Sequence, residues 1–337
     1  MIAPAKPALS VVIPTHNRRR LVGETIQSLG GQSLPADQFE VVVVCDGDLD
    51  GTEGALGGLT TGFTLKVVIQ PQSGPAAARN RGVENSRGGV LLFLDDDIVA
   101  EPELLAEHLR SHAGHPERVV VGRLLPDPYV KARGWTLWEQ RNFDQRYDVL
   151  AAGLSQVDGR KFYSGNASVS RTAFEAVGGF DTAYRRAEDI ELGYRLQRWG
   201  ADFRFNGRAA CVHRGVHSFE SWCRIQYTYG RCDVLMASAH DGAYRIPLAA
   251  WFRRRNVFNR LLCRAAVGRP RTSRALHSAC RGVAAGADAV RAAGVGRWAY
   301  SAIANLQYWQ GVADELGGGD RLWRLLDGPG TRTPVSG

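Results

Sequence analysis

The chain has no paired cysteines, no apolar run long enough to cross a bilayer and, from Phe219 onward, no lysine. Its six cysteines (Cys45, Cys211, Cys223, Cys232, Cys263, Cys280) form no Cys-x-x-Cys pair and no finger spacing. That argues against a zinc module or a disulfide framework and predicts reduced, buried thiols in a cytoplasmic protein. The longest uncharged stretch of the C-terminal part, Trp298 to Ala313, carries Ser, Asn, two Gln and two Tyr, too short and too polar for a membrane span. No apolar core precedes Leu9, so no secretory leader is expected. The first strand-like run leads into Pro14-Thr15-His16-Asn17-Arg18 rather than Gly-x-Gly-x-x-Gly, against a dinucleotide-binding dehydrogenase. The Gly-rich, cation-bearing phosphate loop of a sugar nucleotidyltransferase is missing from the same place, and no internal repeat is found.

The missing lysines belong to a skewed charge distribution. From Phe219 to the end there are 17 Arg against 8 acidic residues, while the preceding part has 25 basic against 26 acidic. The basic excess therefore sits in the last third. Anionic lipid, a phosphate-bearing acceptor or an acidic partner would suit it, and so would a plain compositional bias toward Arg, Ala and Gly. Trp251 and Phe252 beside Arg253-Arg254-Arg255 read as a basic amphipathic element, either a peripheral membrane contact on the inner face or a helix packed on the core. Nucleic acid is not expected as a partner, and an oligomer stays open.

What is present is an α/β alternation. Apolar strands are predicted at Leu9–Pro14, Phe39–Cys45, Leu65–Ile69 and Val90–Leu94, with helices at Arg18–Leu29 and Ala76–Ser86 and a Gly- and Thr-rich loop at 51–62. Further on, a helix at Glu103–His112, a strand at Arg118–Gly122, a strand-like run to Ser170, helices at Thr172–Val177 and Asp189–Trp199 and a short strand at Phe203–Phe205 are expected. Residues 127–160 show no clear period and read as a variable lid or acceptor loop. Beyond Phe219 the pattern is mostly helical.

Val90-Leu91-Leu92-Phe93-Leu94 runs straight into Asp95-Asp96-Asp97. Aspartates repel one another and disfavour strands, so a tip carrying three of them calls for a cation, most simply a divalent metal; an acidic turn is the plainer alternative. Asp46 closes the second strand and would share the carboxyl edge of a parallel sheet with them, where it can accept from a base or ribose or merely form a turn. Glu188-Asp189 opens a helix, where a carboxylate either complements the helix dipole or stays ionised as a base. His213 follows an apolar pair; beside an aspartate cluster it suits a Mn²⁺-like ion, otherwise it packs in the core.

Leu9 to Arg18, Val43-Val44-Cys45-Asp46-Gly47, Gly74 to Gly82, Phe93 to Asp97, Ser164-Gly165-Asn166-Ala167-Ser168, Gly178-Gly179-Phe180-Asp181 and Glu188 to Leu196 occur in that order. Over about residues 8–217 the chain resembles the family 2 glycosyltransferases of the GT-A fold. The resemblance implies an α/β fold with a Rossmann-like, mixed and mainly parallel sheet flanked by helices, plus a C-terminal helical appendage. It implies a catalytic domain at 1–217, with a nucleotide-binding half at 8–100 and an acceptor half at 101–217, and a helical Arg-rich region at 218–337. Pro14, Thr15, Asn17, Asp46, Gly74, Arg79, Asp95 and Asp96 would hold the nucleotide, and Asp95 to Asp97 would form the DxD motif. Asp97, with Asp95 and His213, would bind Mn²⁺ or Mg²⁺. Asp189, next to Glu188, would be the base, and Asn166, Gly179, Phe180 and Asp181 would line the donor-sugar and acceptor side.

The implied reaction is inverting transfer of a sugar from a nucleotide-diphosphate sugar (UDP favoured, dTDP or GDP open) to a hydroxyl of a glycan, natural product, peptide or lipid-linked acceptor. The Gln-x-x-Arg-Trp motif of processive members is absent: Arg198-Trp199 follows too soon after Asp189 and Arg195 stands where Gln should. Transfer of one sugar or a few is therefore expected. A catalytically silent nucleotide-sugar-binding scaffold and a sugar nucleotidyltransferase are the alternatives.

Overall fold

The computed structural model describes residues 6–129, 132, 134–184, 186–215, 217–238 and 246–328. They fall into two compact units, one comprising residues 1–130 and 143–215, the other residues 131–142 and 216–337. Residues 131–142, placed in the catalytic half by sequence, thus group with the helical unit.

In the first unit, β1 (Leu9–Thr15), β2 (Phe39–Asp46), β3 (Thr64–Gln70) and β4 (Val90–Leu94) form a parallel half-sheet, and β5 (Ile98–Ala100), β6 (Arg118–Pro126), β7 (Asn166–Ser170) and β8 (Asp202–His213) complete the order β3-β2-β1-β4-β7-β6-β8-β5. The β4/β7, β7/β6 and β8/β5 pairs are antiparallel. This is the mixed, mainly parallel α/β sheet expected. β1, β2 and β4 are buried on both faces, which their nearly unbroken apolar runs allow. Val11, Ile13, Leu92 and Leu94 join one core with α1 (Arg19–Leu29) and α4 (Leu104–His112). Val12, Leu91 and Phe93 join the other with α3 (Pro75–Glu84), α6 (Arg171–Ala176) and α7 (Glu188–Trp199).

Three local expectations change. The glycine- and threonine-rich stretch contains a short helix, α2 (Thr52–Gly57). Much of 127–160 is helix α5 (Gly134–Ala151), whose buried residues are Tyr147 and Leu150; so little burial leaves no apolar period to read, and positions 130, 131 and 133 of that stretch lie outside the described residues. The strand expected at Phe203–Phe205 runs on to His213 as β8, through a register irregularity opposite Gly122/Arg123. That extension carries His213 to the sheet edge.

The second unit is helical: α8 (Phe219–Ser238), α9 (Leu248–Arg253), α10 (Val257–Ala266), α11 (Pro270–Ala289), α12 (Ala293–Glu315) and α13 (Gly319–Asp327). α8 and α12 cross where Gly230 and Gly311 let their backbones touch; a Cβ on either would lie 2.0 Å from a carbonyl oxygen of the other helix. Phe252 is buried and Trp251 packs against the same core, so the apolar side of the expected amphipathic element points inward. All six cysteines are buried and free. No described helix is long and apolar enough to cross a membrane.

Candidate active site

The sheet topology gathers the acidic residues at one edge. Because β7 runs antiparallel to β4, with Leu94 opposite Asn166, the Ser164-Gly165 turn lies beside Asp95. Because β5 pairs antiparallel with the end of β8, Ile98 opposite His213, the imidazole comes to Asp97: His213 Nε2 lies 3.4 Å from Asp97 Oδ1. The Arg214 amide donates to the Asp97 carbonyl at 2.7 Å and locks that approach.

Two arginines organise the cluster. Arg79 of α3 is buried; its Nη1 donates to Glu188 Oε1 at 2.7 Å and its Nη2 to Asp95 Oδ1 at 3.0 Å, with the guanidinium 5.6 Å over the Phe180 ring. It joins the tip of β4 to the start of α7. Arg18, just before α1, places one Nη1 at 2.9 Å from both Asp96 Oδ1 and Asp97 Oδ2. Asp96 also accepts from Thr15 Oγ1 at 2.7 Å, so both its oxygens are engaged by the protein. Burial raises its pKa against the opposing pull of Arg18.

Asp189 sits at the N-terminus of α7, half-buried, accepting from the Ser164 amide at 3.3 Å and the Ile190 amide at 2.8 Å. Burial first, and the neighbouring Glu188 charge second, push its carboxyl up to about 7, against Arg79 and the two amides. The preceding Ala187 takes φ 60°, an uncommon left-handed value that costs about 1 kcal/mol or more for a residue with a Cβ and turns the chain into the helix.

The described residues assemble no group of three His, Cys, Asp or Glu side chains around a cation position. A smaller donor set does fit a cation. Asp97 Oδ1 is buried without a hydrogen-bond partner and faces His213 Nε2, a carboxylate and an imidazole of the kind Mn²⁺ accepts. A divalent ion held partly by substrate phosphates needs only one or two protein ligands. The site is also kept clear of side chains, since a Cβ on Gly215 would come 2.3 Å from Asp97 Oδ2 and one on Gly165 2.6 Å from Asp95 Oδ2. Asp95, its Oδ1 taken by Arg79, stands at the more exposed side.

Other predicted residues scatter. Asp46 ends β2 at the same sheet edge, but its carboxylate accepts from Gln70 Nε2, Ser73 N and Gly74 N at 2.7–2.8 Å, so it shapes the turn into α3. Asn17, at φ 53°, accepts from Leu49 N at 3.0 Å and pins the loop after β2; Pro14 is the penultimate residue of β1. Gly179 and Phe180 are clamped by Asn80, which exchanges two hydrogen bonds with the Phe180 backbone, while Asp181 follows at the surface and accepts from Ala183 N at 2.9 Å. Asn166 does not line the site. Its amide donates to the Arg123 and Ala209 carbonyls and its oxygen accepts from His108 Nε2, inside a buried network with Ser168 and His112 whose imidazoles burial pushes down to about 4 and about 3. Its partners lie on α4, β6 and β8, which a motif match cannot reveal.

Arg18 and Asn80 had no assigned role from sequence. A signal for Arg18 exists: Arg18-Arg19-Arg20 at the start of a helix meets the positive end of the dipole and supplies no capping acceptor. Such local conflict points to partners elsewhere, here Asp96 and Asp97.

Residues 10–178 match the family model described as Glycosyl transferase family 2. The chain is 33% identical over 220 residues to validoxylamine A glucosyltransferase of Streptomyces hygroscopicus subsp. jinggangensis, covering 58% of this chain and 52% of that protein. It is 28% identical over 253 residues to the uncharacterized glycosyltransferase YfnE of Bacillus subtilis, covering 61% and 64%. The matched stretch thus spans about half to two thirds of these relatives' length. Among solved structures, the mannosyltransferase PcManGT of Pyrobaculum calidifontis in complex with GDP-Man and Mn²⁺ aligns with TM-score 0.56 at 18% identity over 97% of this chain and 80% of that one. S. aureus TarS 1-349 in complex with UDP aligns with TM-score 0.53 at 18% identity over 91% and 90%. These likenesses agree on the GT-A fold.

Proposed function

Because the chain belongs to glycosyl transferase family 2, we propose that it moves a single sugar from a nucleotide-diphosphate sugar to an acceptor hydroxyl, with inversion and without processive elongation. The observation that carries this reading is the Arg79 bridge, which holds the aspartates at the end of β4 and the Glu188-Asp189 helix start in one cluster. Asp189 takes the proton of the acceptor hydroxyl as its oxygen attacks the anomeric carbon; the bond from that carbon to the diphosphate breaks, and the nucleoside diphosphate leaves. A carboxylate with its pKa raised to about 7 is matched to that proton transfer near neutral pH. Asp97 and His213 would hold Mn²⁺ or Mg²⁺, which supplies charge neutralisation for the departing diphosphate. Thr15 orients Asp96, and Arg18 orients Asp96 and Asp97.

UDP is the favoured nucleotide, with dTDP and GDP retained; relatives solved with UDP and with GDP-Man support a nucleotide-sugar donor of this kind. Thermal-shift screening of UDP-, dTDP- and GDP-sugars with and without Mn²⁺ tests the reading. Stabilisation by one nucleotide series, stronger with the metal, is expected. If no nucleotide stabilised the protein in either condition the donor site would be wrongly assigned, and release of pyrophosphate would mark a nucleotidyltransferase instead.

A further inference from the structure

Asn166 opens β7 directly after a turn that touches both acidic parts of the site. Within that turn the Ser164 amide donates to Asp189 at 3.3 Å, and the Gly165 carbonyl accepts from the Asp95 amide at 3.4 Å. The Asn166 amide closes the turn on the Tyr163 carbonyl at 3.1 Å. Its buried side chain then reaches the place where β8 changes register against β6: Gly122 pairs with Asn206 and Arg123 with Ala210, so residues 207–209 fall outside the pairing. There Asn166 Nδ2 donates to the Arg123 carbonyl at 3.2 Å and to the Ala209 carbonyl at 2.9 Å. Gly122 makes the room, since a Cβ on it would lie 2.3 Å from Asn166 Nδ2.

The hydrogen bonds behind Asn166 run in one direction. Carbonyls only accept, so Nδ2 is the donor end of the amide, and Oδ1 takes its proton from His108 Nε2 at 2.8 Å. Burial holds both imidazoles of the network neutral, so His108 Nδ1 is an acceptor and Ser168 Oγ donates to it at 2.8 Å. Ser168 Oγ in turn accepts from His112 Nε2 at 2.8 Å, and the series ends at His112 Nδ1, buried without a hydrogen-bond partner among the described residues. A buried network satisfied in one sense only specifies one arrangement of the groups it joins. An apolar side chain at position 108 would fill the same space, but it would not supply the proton that keeps the Asn166 amide on its two carbonyls. We propose that Asn166, held by His108, is a positioning residue for the base: it fixes the Ser164-Gly165 turn, and with it Asp189 against the tip of β4. That role rests on Asp189 being the base proposed above, and it makes Asn166 a support for the site rather than part of its lining.

His108→Leu and His108→Gln, made in the full chain, separate positioning from packing. Leucine fills the space without a donor, whereas glutamine can offer an N–H where Nε2 stands. At a temperature where circular dichroism shows each variant folded, His108→Leu should lower kcat about 10-fold to 100-fold with the donor KM unchanged, and His108→Gln should stay within about 3-fold of wild type. Amide hydrogen exchange over residues 162–166, read by mass spectrometry, should quicken in His108→Leu and not in His108→Gln. Should His108→Leu not fold, Ser168→Ala, which removes only the hydroxyl that sets the His108 tautomer, is judged by the same readouts. Wild-type kcat and exchange in the variant without the donor would overturn the proposal. So would equal losses in His108→Leu and His108→Gln, which mark packing alone. A wild-type protein that transfers no sugar from any nucleotide series would instead defeat the transfer reading, and the exchange pattern then decides by itself whether Asn166 fixes the turn.

Discussion

Arg18 and Arg79 each bridge two carboxylates at the sheet edge, with guanidinium groups of very different exposure. The Arg79 side chain is 6% exposed and ties Asp95 to Glu188 across two elements; the Arg18 side chain is 42% exposed and grips neighbours in sequence, Asp96 and Asp97. Burial makes the difference. A buried guanidinium cannot leave without stranding its partners, whereas a half-exposed one is already partly hydrated and gives way more readily, even though Asp96 and Asp97 are themselves buried. The first is therefore a fixture of the fold, and the second is the one that could yield to the proposed metal or diphosphate.

The largest effect is expected where the fixed bridge meets the chemistry. Asp189→Asn should cut transfer about 10²- to 10⁴-fold while nucleotide binding, read by thermal shift, persists; an active Asn variant would end the assignment of the base. Next, Arg79→Met leaves Glu188 buried beside Asp189 without its cation and should cost about 3–5 kcal/mol in urea denaturation. A loss no larger than that of Arg18→Gln would dissolve the distinction.

The raised Asp189 pKa gives a pH signature. The folded state holds that proton above the ordinary value of 3.8, so between about 4 and about 7 it binds more protons than the unfolded chain, and its contribution to stability falls as pH rises through that window. Denaturation at several pH values should show wild type losing stability relative to Asp189→Asn up to about pH 7 and no further relative change above it. Parallel pH profiles of the two proteins would refute the shift. The smallest effect belongs to Arg18→Gln: stability should fall by less than for Arg79→Met, because the Arg18 guanidinium is already half-exposed, while Mn²⁺ affinity of the nucleotide-free protein, followed by the EPR signal of the free ion, should rise because a competing cation has left Asp97. Unchanged affinity would make Arg18 as fixed as Arg79.

Much of this was legible in the chain. The parallel strands, the aspartates after Leu94 and the acidic helix start at Glu188 follow from apolar runs ending in polar residues and from spacing. Asn166 was legible as a motif member but not as a core residue, because its partners His108, Arg123 and Ala209 are distant in sequence. Helix α5 was hidden because it buries so few side chains. In α10 the apolar residues were visible, yet not which of them face outward; Phe252 and Phe258 look alike in sequence and differ from 4% to 68% in exposure.

The sequence by itself determined the strands, the order of the motifs and the concentration of positive charge in the last third, since these depend on local periodicity and composition. Tertiary structure alone decided that His213 meets Asp97, that Arg79 joins Asp95 to Glu188, and that Asp46 accepts from Gln70, Ser73 and Gly74 in the turn into α3. Strand pairing and burial choose partners among residues far apart in the chain, and the same carboxylate is a ligand, a base or a turn former according to which donors that pairing delivers.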